Sequence, residues 1–192
     1  MSIFRTLLSL AFFILGFTLI AQDNFPYLDY QLKYNSRNVI SFDTIVKAPE
    51  TTKAELYSSA REWFVNTFNN AESVLQMDDK ESGKLIGKGF QKINLKSGRA
   101  QMWYTISIYL KDGRYKIEIS DFIYKSPTGA QYPWTAAAEE SITDEKVYKK
   151  NGKPRSTQAG YKSKTVEEAF KIIQSIINGM GEKPAVGNEG DW

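Results

Sequence analysis

The sequence predicts an α+β fold, β-α-β-β-β-β-α, in which one antiparallel sheet has two helices packed on a single face. Three observations predict it. Asp112-Gly113 stands between two runs of alternating apolar and polar residues, Ala100 to Lys111 and Arg114 to Lys125, the pattern of a tight antiparallel hairpin. Thr52-Lys-Ala-Glu55 and Thr165-Val-Glu-Glu168 both have the spacing of a capping box, which opens a helix. Each box is followed by apolar residues recurring at helical spacing, so both helices need an apolar surface, and an antiparallel sheet with one apolar face supplies it.

Taken in order, Met1 to Ala21 reads as a secretory signal peptide: a lone cation, Arg5, then an apolar run from Leu7 to Ile20 ending at a small residue. The run falls short of the roughly 20 residues of a membrane span. Cleavage after Ala21 makes Gln22 the mature terminus and the protein exported, periplasmic or secreted; the competing reading is an uncleaved anchor. Residues 22–38 are a lead-in segment. Residues 39–180 form a single domain. Its first strand runs from Val39 to Val46, with Ile40, Phe42, Thr44 and Val46 on one face, and Pro49 ends it. The helix opened at Thr52 runs to about Asn70 and turns Leu56, Tyr57, Ala60, Trp63, Phe64 and Phe68 inward.

Ser73 to Met77 is a short strand and Lys84 to Ile93 the next. In the latter, Gly87 and Gly89 mark a bulge or a close backbone approach. The hairpin then pairs Leu110 with Tyr115, Ile108 with Ile117 and Ile106 with Ile119 toward the core. On its other face are Tyr109 opposite Lys116, Ser107 opposite Glu118, Thr105 opposite Ser120 and Trp103 opposite Phe122; a bulge near Asp121 would change the last pair. Residues 126–161, punctuated by Pro127, Gly129, Pro133, Gly152 and Pro154, form a long excursion before the last helix. Residues 181–192 are a polar tail, expected to be disordered.

Composition excludes more than it assigns. The 192 residues carry 25 Lys and Arg against 22 Asp and Glu, interspersed along the chain, so the slight excess of charge does not read as a basic patch. With no cysteine there is neither a disulfide nor an acceptor for a lipid, so the exported chain is expected to be soluble and not a lipoprotein. With no histidine, Ser-His-Asp catalysis and His-ligated zinc are excluded.

Several spaced motifs carry a resemblance: Phe42-Asp-Thr-Ile-Val-Lys-Ala-Pro49, Leu56-Tyr57, Trp63-Phe64, Val74-Leu-Gln-Met-Asp78, Gly83-Lys-Leu-Ile-Gly-Lys-Gly89, Tyr104-Thr-Ile-Ser107 and Asp121-Phe-Ile-Tyr124. Over about residues 40 to 125, and less distinctly in the last helix, the chain resembles an uncharacterised family of short exported proteins of Gram-negative bacteria, described as a domain of unknown function with a TBP-like fold. The resemblance implies a curved antiparallel sheet with helices on its convex side. It implies no activity and no catalytic residues, and the DNA-binding namesake is an analogy of fold alone.

Candidate chemistry is sparse. Asp78, Asp79 and Glu81 lack calcium-loop spacing and read as a solvated turn. Glu139 and Glu140 are adjacent on a helical piece, point about 100° apart, and so do not converge on one substrate atom as glycosidase carboxylates do. Gly83 to Gly89 lacks the order of a phosphate loop. No metal and no cofactor are expected, and no enzyme activity. What stands out is the aromatic set Trp103, Tyr109, Phe122 and Tyr124 on the outer sheet face, joined by Tyr132 and Trp134 from the excursion. It is either a binding surface or, if the excursion folds over the sheet, a second small core. The reading is a binding or interaction module of the cell envelope, using the open sheet face and the excursion. Its partner is an envelope protein, a peptide, a glycan or a lipid; nucleic acid and a stable membrane anchor are not expected. An accessory subunit of an envelope complex and a carboxylate-dependent hydrolase are the alternatives.

Overall fold

The computed structural model describes residues 25–181. The expected signal peptide, its cleavage point at Gln22 and the tail beyond Gly181 lie outside the described residues. The strands are β1 (Lys33–Tyr34), β2 (Ile40–Lys47), β3 (Leu75–Asp79), β4 (Lys84–Leu95), β5 (Gly98–Lys111), β6 (Arg114–Lys125) and β7 (Thr135–Ala137). The helices are α1 (Lys53–Thr67), α2 (Ala71–Val74), α3 (Asp144–Val147) and α4 (Ser156–Gly181), with a 3-10 turn at Ala138–Glu140. One antiparallel sheet runs β1-β2-β6-β5-β4-β3, and β7 pairs with β6. This is the expected α+β plan with short additions at its margins.

The β5–β6 hairpin has the register its turn residues predict: Leu110 faces Tyr115, Ile108 faces Ile117 and Ile106 faces Ile119. All six are buried under the helices. The register shifts between Trp103 and Thr105, and opposite the shift Asp121 adopts a left-handed φ of 55°. One extra residue in β6 inverts the alternation beyond it. Phe122 and Tyr124 therefore turn into the core, at 0% and 1% exposure, while Ile123 replaces Phe122 opposite Trp103. The bulge also divides the edge of β6: β2 pairs with Arg114 to Ser120, and β7 with Ile123 to Lys125.

The capping box at Thr52 forms as its spacing predicts. The Thr52 hydroxyl accepts from the Glu55 amide, and the Glu55 carboxylate accepts from the Thr52 amide. Helix α1 presses Phe64 onto β4 at Gly87, where a Cβ would stand 2.5 Å from the Phe64 ring, so close backbone approach explains this glycine. The strand expected from Ser73 begins later, because Asn70 caps the short helix α2 and delays β3 to Leu75.

The last helix corrects the sequence reading. It starts at Ser156, and Thr165 lies inside it. The second capping box does not form: the Thr165 hydroxyl donates to the Tyr161 carbonyl and lies 2.6 Å from the buried Tyr124 hydroxyl. The excursion is correspondingly shorter and partly ordered. Its Ala138, Ile142 and Val147 join the one hydrophobic core beneath the helices. Lys162, 1% exposed, reaches Asp144 of α3 at 2.9 Å and ties the excursion to α4. The excursion thus packs on the helix side and at the β6 edge, and the opposite sheet face stays uncovered.

Candidate functional site: the open face of the sheet

Alternation along the strands assigns the open face. In β4, Leu85, Gly87, Gly89 and Ile93 turn inward, which leaves Lys84, Ile86, Lys88 and Phe90 outward. The register then aligns rows across the sheet: Lys84, Tyr109, Lys116 and Ile45; Ile86, Ser107, Glu118 and Asp43; Lys88, Thr105, Ser120 and Ser41; Phe90, Trp103 and Ile123. A groove of about 770 Å³ crosses the first three rows, walled at one end by the turn from Lys33 to Arg37. A second depression, of about 400 Å³ and sharing Tyr109 and Lys116, carries it toward Lys111 and Arg114 at the hairpin end.

The floor is hydroxylic. Ser41, Thr105, Ser107 and Ser120 are buried residues with no helix above them. Five cations and three carboxylates line the groove: Lys33, Arg37, Lys84, Lys88 and Lys116 against Asp43, Glu118 and Asp121. The carboxylates are engaged. Arg37 forks onto both oxygens of Asp121 at 3.0 Å, and Lys116 bridges Asp43 at 3.2 Å and Glu118 at 3.4 Å. Asn35 donates to Glu118 at 2.9 Å. Burial works against ionisation of Asp121, but the hydrogen bonds and charge of Arg37 outweigh it and hold the carboxyl below its ordinary range. Burial likewise opposes the charge on Lys116, and Asp43 and Glu118 more than offset it, keeping the ammonium above its ordinary range. Lys84 lies 5.4 Å over the Tyr109 ring. No carboxylate among the described residues pairs with Lys84 or Lys88.

The structure divides the aromatic set read from the sequence. Trp103 and Tyr109 lie on the open face. Phe122 and Tyr124 do not, because the Asp121 bulge turns them inward. Trp134, 42% exposed, packs edge-on to Tyr161 of α4 on the helix side, where Tyr161 also meets Tyr124. Tyr132 is 80% exposed, away from the others. Trp103 instead stacks on Phe90 at 4.7 Å, with the Lys125 ammonium 4.4 Å over its ring. Phe90, Arg37, Lys84 and Lys88 were missed from the sequence. The signal for three of them is the alternation Lys84, Ile86, Lys88, Phe90, opposite in phase to the inward glycines and Leu85.

Residues two apart on a strand share a face, so Lys84 and Lys88 reach one surface, where the groove still mixes cations with carboxylates. Three of the carboxylates weighed and set aside in the sequence are engaged elsewhere. Asp78 bonds Tyr57 and Arg61 on the helix side, Asp79 accepts from the Ser82 amide, and Glu139 accepts from the Ile40 amide at 2.6 Å. Among the described residues no group of three or more acids stands close enough to hold a metal ion.

Residues 42–125 match the model of a family described as a domain of unknown function (DUF4468) with TBP-like fold. No curated protein matches the chain. Two solved structures share its fold. A DUF4468 family protein from Bacteroides ovatus superposes with a TM-score of 0.69 at 20% identity, over 83% of this chain and 96% of that one. A TBP-like protein from Parabacteroides distasonis gives 0.62 at 16% identity, over 76% and 94%. The sheet with helices on one side, the spaced motifs and these comparisons agree: the chain has a TBP-like fold, and its residues 42–125 match the DUF4468 family of domains.

Proposed function

We propose that the protein is an exported binding module of the cell envelope whose ligand lies across the open face of the sheet. One observation carries the reading: the uncovered face is not a flat solvated surface but a groove of about 770 Å³, walled by a turn of the chain and floored with hydroxyls. Such concave sites with convergent polar groups are where ligands bind. The groove carboxylates favour binding over hydrolysis, since each is neutralised by Arg37 or Lys116 and none is left as a free acid or base. The apolar run before Ala21 supports export, and no described helix is long and apolar enough to cross a membrane.

The test uses a photo-crosslinking amino acid in cells, placed at Ile86 in the groove and, as a control, at exposed Val65 on α1. The reading expects adducts from position 86 that position 65 does not give, on a chain beginning at Gln22 by mass spectrometry. Equal labelling from both positions, or a full-length membrane-embedded chain, overturns it.

A further inference from the structure

We propose that the ligand of the groove is a carboxylate-bearing polysaccharide, an inference that rests on the open face being the binding surface. Three features of the face select this chemistry. First, charge. After Arg37 and Lys116 have satisfied the groove carboxylates, three of the five cations, Lys33, Lys84 and Lys88, have no acidic partner among the described residues; Lys84 and Lys88 stand two residues either side of Ile86 on β4. They are spaced about 13 Å apart along the strand, at the rise of about 3.3 Å per residue, so they suit negative charges that recur along a chain. Desolvating a cation without a counter-charge is costly, so an anion supplied by a ligand is favoured there.

Second, the floor and walls offer acceptors as well as donors. Hydroxyls of Ser41 and Ser107 and the carboxylates of Asp43 and Glu118 meet hydroxyl groups of a sugar well. A DNA strand presents phosphates and few hydroxyl donors, so it leaves these acceptors unmatched. A flat bilayer would touch the rim of the groove and leave the floor empty. Third, beyond Lys88 on the same strand lies Phe90, 46% exposed and stacked on Trp103, with the Lys125 ammonium 4.4 Å from the centre of that ring. An aromatic surface in line with the cations suits the apolar face of a sugar ring. A second copy of this chain is disfavoured as occupant, because each open face would present its unpaired lysines to the other.

The test titrates the full chain with oligogalacturonate, alginate oligosaccharides, methyl-esterified oligogalacturonate, oligo(dT) and phosphatidylglycerol vesicles, following intrinsic tryptophan fluorescence, to which Trp103 contributes as one of four tryptophans. The inference expects one of the two free-acid oligosaccharides to bind. Methyl esterification or the double variant Lys84→Glu/Lys88→Glu should weaken that binding about tenfold or more, and added salt should weaken it too. Lys84→Arg/Lys88→Arg should retain binding, which separates lost charge from lost folding. Phe90→Ala should weaken free-acid and esterified forms alike. The inference is overturned if neither acidic oligosaccharide binds, whether or not oligo(dT) or vesicles bind through Lys84 and Lys88, or if the esterified form binds as well as the acid. In those cases adducts from position 86 in cells would leave the groove as the binding surface; without such adducts both readings fall.

Discussion

The carboxylate of Asp112, in the two-residue turn between β5 and β6, accepts a 2.7 Å hydrogen bond from the backbone amide of Lys53 at the first position of α1. The start of a helix leaves its first amides without intrahelical partners. Thr52 and Glu55 satisfy two of these locally, and Asp112 supplies a third across the sheet's end. The Gly113 amide adds a bond to the Thr51 carbonyl. Asp112→Ala should therefore cost about 1 kcal/mol, the scale of a lost cap. Urea denaturation reads this directly, with Asp112→Asn expected to recover most of the loss. An unchanged midpoint for the alanine variant would show that the helix start does not depend on the hairpin.

Gly179 tests the crossing of the two long helices. Alanine ordinarily stabilises a helix interior by about 1 kcal/mol over glycine. Here a Cβ at position 179 would stand 2.6 Å from the Trp63 ring, whose indole N–H also donates to Ser175 at 3.1 Å. Overpacking of this kind costs about 1–3 kcal/mol, so Gly179→Ala should destabilise on balance. A rise in thermal midpoint would mean that the helices separate easily.

The two halves of the divided aromatic set should behave oppositely. Phe122→Ala should cost about 3–5 kcal/mol, as expected for an aromatic with no exposure. Trp134→Ala should cost about 1 kcal/mol or less, since much of its ring already faces water. Denaturant melts of the two variants decide this, and similar losses would contradict the inversion at Asp121.

Acid stability tests the Arg37–Asp121 fork. The folded-state carboxyl of Asp121 is held below its ordinary value, so the unfolded chain binds the proton more readily. Its contribution is present above the unfolded-state pKa and is lost as pH falls through the folded-state value. Arg37→Ala should thus reduce stability near neutrality and flatten its fall below about pH 4. If wild type and variant lose stability in parallel through that window, the fork contributes nothing to linkage.

What the sequence displayed was local. Asp112-Gly113 fixed the hairpin register, and Thr52 with Glu55 marked α1, because each signal lies within a few residues of the geometry it sets. Thr165 and Glu168 carried the same spacing as Thr52 and Glu55, yet the Thr165 hydroxyl finds Tyr161 and Tyr124 instead, a tertiary outcome that spacing does not contain. The faces of Phe122 and Tyr124 depended on one left-handed residue, Asp121. The groove was hidden for a third reason. Lys84, Lys88, Arg37 and Asp43 come from three separate segments, and only the pairing of β2 with β6 and of β4 with β5 brings them to one surface.

That strand order has a kinetic consequence. Strands β3 to β6 follow one another as neighbours, so their pairing closes short loops. Strand β2 pairs residues as remote as Phe42 and Ile119, and non-local closure is the slow part of folding. Asn35, Arg37, Ser41 and Asp43 arrive with β2, so one wall of the groove is expected to form last. A ligand of the groove therefore has nothing complete to grip until the rate-limiting barrier is behind the chain. It should lengthen the lifetime of the native state while leaving the refolding rate unchanged, a division that stopped-flow chevrons with and without ligand would expose.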